Sequence, residues 1–311
     1  MKSFVPNYYD KFCCIADKCK HSCCIGWEID IDKESLQYYK NISSEFGKRL
    51  KENISVGSEP HFVLGSNDRC PFLNSCNLCD IYIELGKEHL CQICSDHPRF
   101  RNFFETRTEL GLGMCCEAAA WLMLNYKDKM RLIMTEDDKS EKCDEDVFFA
   151  MRQKAFDILQ DRSANIDKRI DNLKNEYDIR NFERTLSEWV PFYLTLENLD
   201  PKWGELLNMA KSKGKVKSAS FDEENLQIAF EQLIVYFVYR HTADAVFENN
   251  FGVRLAFAIL SFEMTRYLWS CTGDISSENL AEVARMYSQE IEYSEENMDE
   301  LIFELENELF D

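Results

Sequence analysis

The sequence predicts a mainly α protein in two parts: a cysteine-rich N-terminal domain with short strands over residues 1–135, and an all-helical C-terminal domain over residues 136–311. Twelve of the fourteen cysteines lie before residue 117. Beyond Ser140, apolar residues recur at helical spacing almost throughout. A chain of 311 residues is also long enough for two cores, since domains usually run about 100 to 200 residues.

Composition narrows the class further. Apolar content of 45% with 13% aromatics excludes a mainly disordered chain, and no window approaches the ~18 uninterrupted apolar residues of a membrane helix. Residues 1–12 carry Pro6, Asn7 and Asp10 and lack the apolar stretch of a secretory signal, so a cytoplasmic location is expected. Net charge is −20, and it deepens along the chain from −2 over residues 1–100 to −6 over 101–200 and −12 over 201–311. Nucleic acid is therefore not an expected partner, because phosphate binding needs concentrated positive charge. A basic partner is permitted, although an acidic surface more often serves solubility.

Taken in order, the chain opens on Cys13-Cys14, Cys19, Cys23-Cys24 and Gly26-Trp27. Glu28 to Asp32 alternates polar and apolar residues as a short strand does, and Leu36, Tyr39, Ile42, Phe46 and Leu50 share one face of a single amphipathic helix. Asn53 to Arg69, with Gly57, Pro60, Gly65 and Asn67-Asp68, reads as strand and turn leading into Cys70. A short helix is expected from Asp80 to Leu85, stopped by Gly86. A strand pair follows His97-Pro98-Arg99, and Glu117 to Met130 has a good helix-forming composition.

In the C-terminal part, Asp200-Pro201 is an N-cap with proline at the first helical position, and Ser220 with Glu223 has capping-box spacing. Leu226, Phe230, Leu233, Ile234, Phe237 and Val238 form the broad face of a core helix, and Leu255, Ile259, Phe262 and Trp269 repeat the pattern. Ser276 and Ser294 cap two more helices. Pro191 should kink or divide its helix, and Lys211 to Lys217 reads as an exposed loop. A terminal helix presents Leu301, Leu305 and Leu309 on one side and acidic residues on the other.

The cysteines carry the chemistry. Reducing cytosol keeps thiols free, so clustering there points to metal or catalysis rather than to a disulfide framework; Cys143 and Cys271, outside the cluster, read as buried core thiols. Thiolates are soft ligands suited to zinc and to iron–sulfur clusters. Cys76/Cys79 and Cys91/Cys94 form two C-x2-C pairs, but their eleven-residue separation is shorter than the ~15 to 20 of zinc ribbons, and a ribbon leaves Cys14 to Cys24 and Cys70 unused. Spacing alone leaves zinc and iron–sulfur level. A radical enzyme that cleaves S-adenosylmethionine needs C-x3-C-x2-C, and here Cys19-x3-Cys23 is followed by Gly26 in the third place. No G-x-G-x-x-G follows a strand, and nothing ties one thiol to one of the five histidines as a nucleophilic pair.

As a set, Cys14-Ile15, Cys19, Cys23-Cys24, Gly26-Trp27, Cys70-Pro71-Phe72-Leu73, Cys79, Cys94 with His97-Pro98-Arg99, and Cys115-x-Glu117-Ala118-Ala119 resemble the flagellin lysine N-methylase family, related to cysteine-cluster proteins described as zinc- or iron-chelating. The order of motifs matches over residues 8 to about 125, and Tyr239-Arg240 resembles the family's later region. The resemblance implies a bacterial cytoplasmic enzyme that transfers methyl from S-adenosylmethionine to lysines of flagellin, or of another lysine-bearing protein. It also implies an iron–sulfur cluster, of the 4Fe-4S kind, with zinc as the alternative.

The family-like ligands are Cys14, Cys19, Cys23, Cys24, Cys70, Cys79, Cys94 and Cys115. Cys13, Cys76 and Cys91 are additions to the pattern, and Cys116 stands where proline is expected, which leaves the number of metal centres open. His97 and Arg99 either support the site or form a structural turn with an exposed arginine. No residue is singled out as a catalytic base. The competing reading is a non-enzymatic zinc- or iron-chelating module whose helical domain docks a partner.

Overall fold

The computed structural model describes residues 2–136, 145–213 and 224–310. In chain order its elements are β1 (Lys2–Pro6), α1 (Lys33–Asn41), α2 (Glu45–Glu52), β2 (Ile54–Ser55), β3 (His61–Phe62), α3 (Asp80–Leu85), α4 (Gln92–Asp96), β4 (Arg99–Phe103), β5 (Arg107–Leu112), α5 (Glu117–Leu124) and β6 (Leu132–Glu136). They continue as α6 (Glu145–Leu159), α7 (Ile166–Glu176), α8 (Leu186–Tyr193), α9 (Pro201–Lys213), α10 (Glu224–His241), α11 (Ala245–Glu248), α12 (Phe251–Thr272), α13 (Ser277–Tyr287), a π-helical turn Ser288–Glu292, and α14 (Glu295–Phe310). Among the described residues no helix is long and apolar enough to cross a membrane.

Two compact units result, and they do not divide at residue 135. One comprises Met1–Phe12, Arg101–Cys115 and Ala119–Asp311; the other comprises Cys13–Phe100 and Cys116–Ala118. Backbone pairing explains the difference. The first strand, β1, pairs in parallel with β5 and antiparallel with β6, in a sheet of order β4-β5-β1-β6. That ladder draws the N-terminus and Arg101–Cys115 into the helical unit, which is therefore not all helical.

The core of the larger unit is built on α10 and α12, which pack on each other and bury most of their side chains. Phe230 meets Phe262 and Trp269 edge to face at 6.0 and 5.7 Å between ring centroids, the geometry that aromatic quadrupoles favour. Leu301, Leu305 and Leu309 of α14 are buried as their spacing predicts, and Ser276 caps α13 by accepting the Asn279 amide. Pro191 lies inside α8, which ends two residues later. The helix expected over Glu117 to Met130 stops at Leu124, and beyond it the Gln232 side-chain amide donates to the carbonyls of Tyr126 and Asp128, at 2.9 and 2.8 Å. Cys271 is fully buried. Lys211 to Lys213 belong to α9, whereas Cys143, Gly214 to Lys217 and the Ser220/Glu223 pair lie outside the described residues.

In the smaller unit the single helix expected after Asp32 is two. Asp32 caps α1 through the Ser35 amide, and Ser44 caps α2 through Gly47. A side chain at position 47 would collide with the Ile42 carbonyl, so glycine there permits the break. Glu28 to Asp32 forms no strand, only an isolated bridge from Asp30 to His61.

Candidate metal centre

The core of the smaller unit joins Ile29, Ile31, Tyr39, Leu50, Phe62, Phe72 and Ile81 to five cysteines. Cys70 and Cys91 are buried in it, and Cys24, Cys79 and Cys94 pack against it. Local structure places each one. The Cys70 amide donates to the Cys24 carbonyl at 2.8 Å, beside an Ile25–Arg69 bridge. Gly26 completes that turn at φ +91°, a conformation that favours glycine, and donates to the Asp68 carbonyl. Cys79 stands at the start of α3, paired with Leu73, while the Asp80 amide donates to the Phe72 carbonyl. Arg49 clamps both sides of this turn, bonding the Asp80 carboxylate at 2.7 Å and the Pro71 carbonyl at 2.6 Å. Cys91 precedes α4, whose Gln92 amide donates to Asp32, and the Tyr39 hydroxyl donates to the His89 carbonyl. The sulfurs of Cys91 and Cys94 are 3.3 Å apart.

Burial governs the electrostatics of this set. It pushes the Cys70 thiol up to about 12 and raises Cys79, because a thiolate loses its hydration there. The hydrogen bond between Cys91 and Cys94 holds Cys94 well above the ordinary thiol value and Cys91 below it. A hydrogen bond between neighbours likewise raises Cys23 and lowers Cys24 to about 7. His97 packs on Trp27 with ring centroids 6.1 Å apart, and burial, with Arg99 adjacent, pushes its imidazole down to about 4. Arg99 is half-buried rather than exposed, donating to the Ser95 carbonyl.

Of the remaining cysteines, Cys23 is hydrogen-bonded to its neighbour Cys24 of this set. Cys23 lies within electrostatic reach of Cys14 and Cys116, and Cys19 within reach of Cys116 and Glu117. Burial, with the Glu117 carboxylate adding to it, pushes Cys19 up to about 11. Cys13 and Cys76 are exposed. Cys115 belongs to the helical unit, where its thiol bonds the Tyr293 hydroxyl. Of the eight family-like residues, then, the structure gathers Cys24, Cys70, Cys79 and Cys94 against one core, joined there by Cys91, while Cys14, Cys19 and Cys23 lie on the opening loop and Cys115 falls in the larger unit. The C-x2-C spacing of Cys91 and Cys94 was the available signal for Cys91.

No cysteine among the described residues is in a disulfide. As placed, no three His, Cys, Asp or Glu side chains among the described residues converge on a single metal ion. The chemistry of the donor set fits a thiophilic centre: five thiols on four chain segments meet in one core.

The helical unit holds a second concentration of polar groups. Glu292, on the π-helical turn, is buried and accepts hydrogen bonds from the Tyr236 hydroxyl at 2.7 Å and from His241 Nε2 at 2.6 Å. Arg240 Nε is 3.8 Å from the same carboxylate, and its guanidinium lies 5.2 Å from the Tyr293 ring centroid. Burial of Glu292 is outweighed by His241 and Arg240, which keep its carboxyl below the ordinary glutamate value. Periodicity marked α10 as a core helix and gave no sign of this cluster, since Glu292 lies more than fifty residues from its partners.

Residues 132–311 match the family described as the FliB lysine N-methylase C-terminal domain. A lysine-N-methylase of Salmonella typhimurium is 28% identical over 137 residues, covering 41% of this chain and 33% of the relative. The flagellar biosynthetic protein FliU of Salmonella muenchen is 28% identical over the same length, covering 41% of this chain and 79% of that protein. The match thus spans about a third of the length of the curated lysine-N-methylase. No solved structure matches.

Proposed function

Because the chain belongs to the FliB lysine N-methylase family, we propose that it methylates lysine side chains of a protein, flagellin first, with S-adenosylmethionine as donor, in the cytoplasm of a bacterium. We further propose that its N-terminal cysteines hold an iron–sulfur cluster. The family match over residues 132–311 carries this reading, and the flagellar name of one relative supports the choice of substrate. In the reaction the neutral lysine Nζ attacks the sulfonium methyl. A C–N bond forms as the C–S bond breaks, S-adenosylhomocysteine leaves, and the amine loses its proton. The enzyme must hold the amine neutral and in line with the methyl group.

Cys24, Cys70, Cys79, Cys91 and Cys94 are the residues that would hold a cluster. When bound it would cross-link the segments that carry them, each thiol releasing its proton to solvent as the thiolate binds. Gly26 stands in the third place of the radical motif, so the proposed transfer is polar. The test incubates the full chain, purified anaerobically, with labelled S-adenosylmethionine and flagellin from the same cell. Label on flagellin lysines without 5′-deoxyadenosine is the expected result. An intact metal centre with no label on protein would instead support the chelating module.

A further inference from the structure

The four-stranded sheet has two edges, β4 and β6, and they are shielded unequally. An edge strand exposes a row of unpaired backbone groups, which charged side chains and prolines normally keep from pairing with another chain. Strand β4 carries Arg99 and Arg101 and follows Pro98. Strand β6, which lies wholly in the larger unit, has neither a charge nor a proline from Leu132 to Thr135, and its Ile133 and Met134 are 50% and 46% exposed.

Register shows which backbone groups of β6 are open. The Asn7 amide donates to the Arg131 carbonyl at 2.9 Å, and β1 then pairs Pro6 with Leu132, Val5 with Ile133 and Phe4 with Met134. Opposed residues in an antiparallel ladder alternate between exchanging hydrogen bonds and not exchanging them. Ile133 therefore directs its amide and carbonyl to β1, whereas Leu132 and Met134 turn theirs away from the sheet. These four groups have no partner among the described residues, and they recur about 7 Å apart, the spacing at which an added strand bonds. The irregularity opposite Ser3 and Phe4 falls at Thr135, beyond Met134.

We propose that the outer edge of β6 binds an extended, lysine-bearing segment of the protein substrate as a fifth strand, through backbone hydrogen bonds to Leu132 and Met134. Length argues against a second copy of this chain. The five residues of β6 span about 17 Å, too short a contact to bury the ~1,200 Å² or more of a stable association between folded chains. Charge favours a basic segment, since the chain carries −20 overall and −12 over residues 201–311, and opposite charge speeds encounter. Main-chain pairing also holds a segment without fixing its sequence, while alternate side chains, lysine included, stand clear of the sheet. The inference rests on the methylation reading and names how that substrate is held.

The test uses the full chain and depolymerised flagellin from the same cell, without methyl donor for binding and with labelled S-adenosylmethionine for turnover. Amide exchange at Leu132 and Met134 should slow about tenfold or more when excess flagellin is added, whereas Ile133 is protected throughout. Met134→Pro removes one outward amide at a place where an edge strand tolerates proline. It should raise the KM for flagellin about tenfold with kcat within about twofold, the signature of lost binding alone. Met134→Ala keeps the amide and should stay within about twofold of the unaltered chain in both constants. Circular dichroism confirms that each variant is folded, and the exchange measurement needs no variant. Methylation without slowing at Leu132 and Met134, or folded Met134→Pro with an unaltered KM, overturns this inference alone. Slowing without label on lysine overturns the methylation reading and supports the edge as a docking site. Absence of both overturns both. Slowing that follows the concentration of this chain without flagellin assigns the edge to a second copy and overturns the proposal.

Discussion

Replacing Tyr236 by Phe isolates the hydrogen bonds at the heart of the buried polar cluster, since the ring and its packing are kept. The hydroxyl accepts the Met114 amide at 3.1 Å and donates to Glu292 at 2.7 Å, and all three residues belong to the helical unit. A hydrogen bond to a charged group contributes about 1.5–3 kcal/mol, and a buried donor left without a partner costs about 1–3 kcal/mol. Met114 is fully buried, so its amide has no route to water. The two terms arise from one hydroxyl and overlap, and Glu292 keeps His241 and Arg240 as partners. The expected loss is therefore about 2–4 kcal/mol. Urea unfolding followed by far-ultraviolet circular dichroism measures it, because helix dominates the larger unit. An unchanged slope with a lowered midpoint is the expected form. A double-mutant cycle with Glu292→Gln should give a coupling above about 0.5 kcal/mol. A loss under about 0.5 kcal/mol for Tyr236→Phe would refute the assigned network, since that is the size of a neutral surface change.

His97 and Asp32 give two further tests in the smaller unit. With its imidazole at about 4 in the folded chain against 6.5 ordinarily, the unfolded state binds more protons between those values. Stability should thus fall as pH drops from 6.5 towards 4, by at most roughly 3 kcal/mol. His97→Gln should remove that part of the pH–stability profile, and an unaltered profile would contradict the assignment. Asp32→Ala removes the acceptor of the Ser35 and Gln92 amides. It should cost about 1–2 kcal/mol and accelerate hydrogen exchange at those two amides; protection unchanged at Gln92 would show that the tie to α4 is dispensable.

What the sequence disclosed follows the range of each physical signal. Helix α3 runs from Asp80 to Leu85 with Gly86 after it, and Ser276 and Asp200-Pro201 start helices where expected, because caps and breakers act on their immediate neighbours. Strands β1 and β6 were not legible. Lys2 to Phe4 pair with Arg107 to Glu109 more than one hundred residues away, and five residues carry too little alternation to announce such a partner. The break between α1 and α2 was masked by continuity of pattern, since Tyr39 and Leu50 lie on either side of it and line the same core. At the cysteines, spacing and resemblance reached most of the gathered thiols. The resemblance named Cys115 as a ligand and set Cys116 aside, and these two residues, adjacent in the chain, fall in different units. Which of two neighbours turns towards a site is decided by packing, here by Tyr293 beside Cys115 and by Glu117 holding the loop beside Cys116.

A cysteine can be read as a small core hydrophobe or as a ligand, and the two thiol groups combine these readings differently. Cys70 and Cys91 are embedded with Phe62, Phe72 and Ile81, so their surroundings are held by apolar burial whether or not a metal is bound. Cys14, Cys19 and Cys23 sit in a stretch with no buried residue, so a metal held by the neighbouring Cys24 would add to the few contacts that order it. Chelating the metal from the anaerobically purified chain should therefore act unevenly. Amide exchange should rise at least tenfold over residues 13–23, while Phe72, Ile81 and Ile93 keep their protection, because local opening follows local burial. Uniform loss of protection through residue 100 would mean that the apolar core is too small to stand alone and that the first group is also a folding staple. Unchanged exchange over residues 13–23 would mean that Glu117 and the local turns suffice to order the loop.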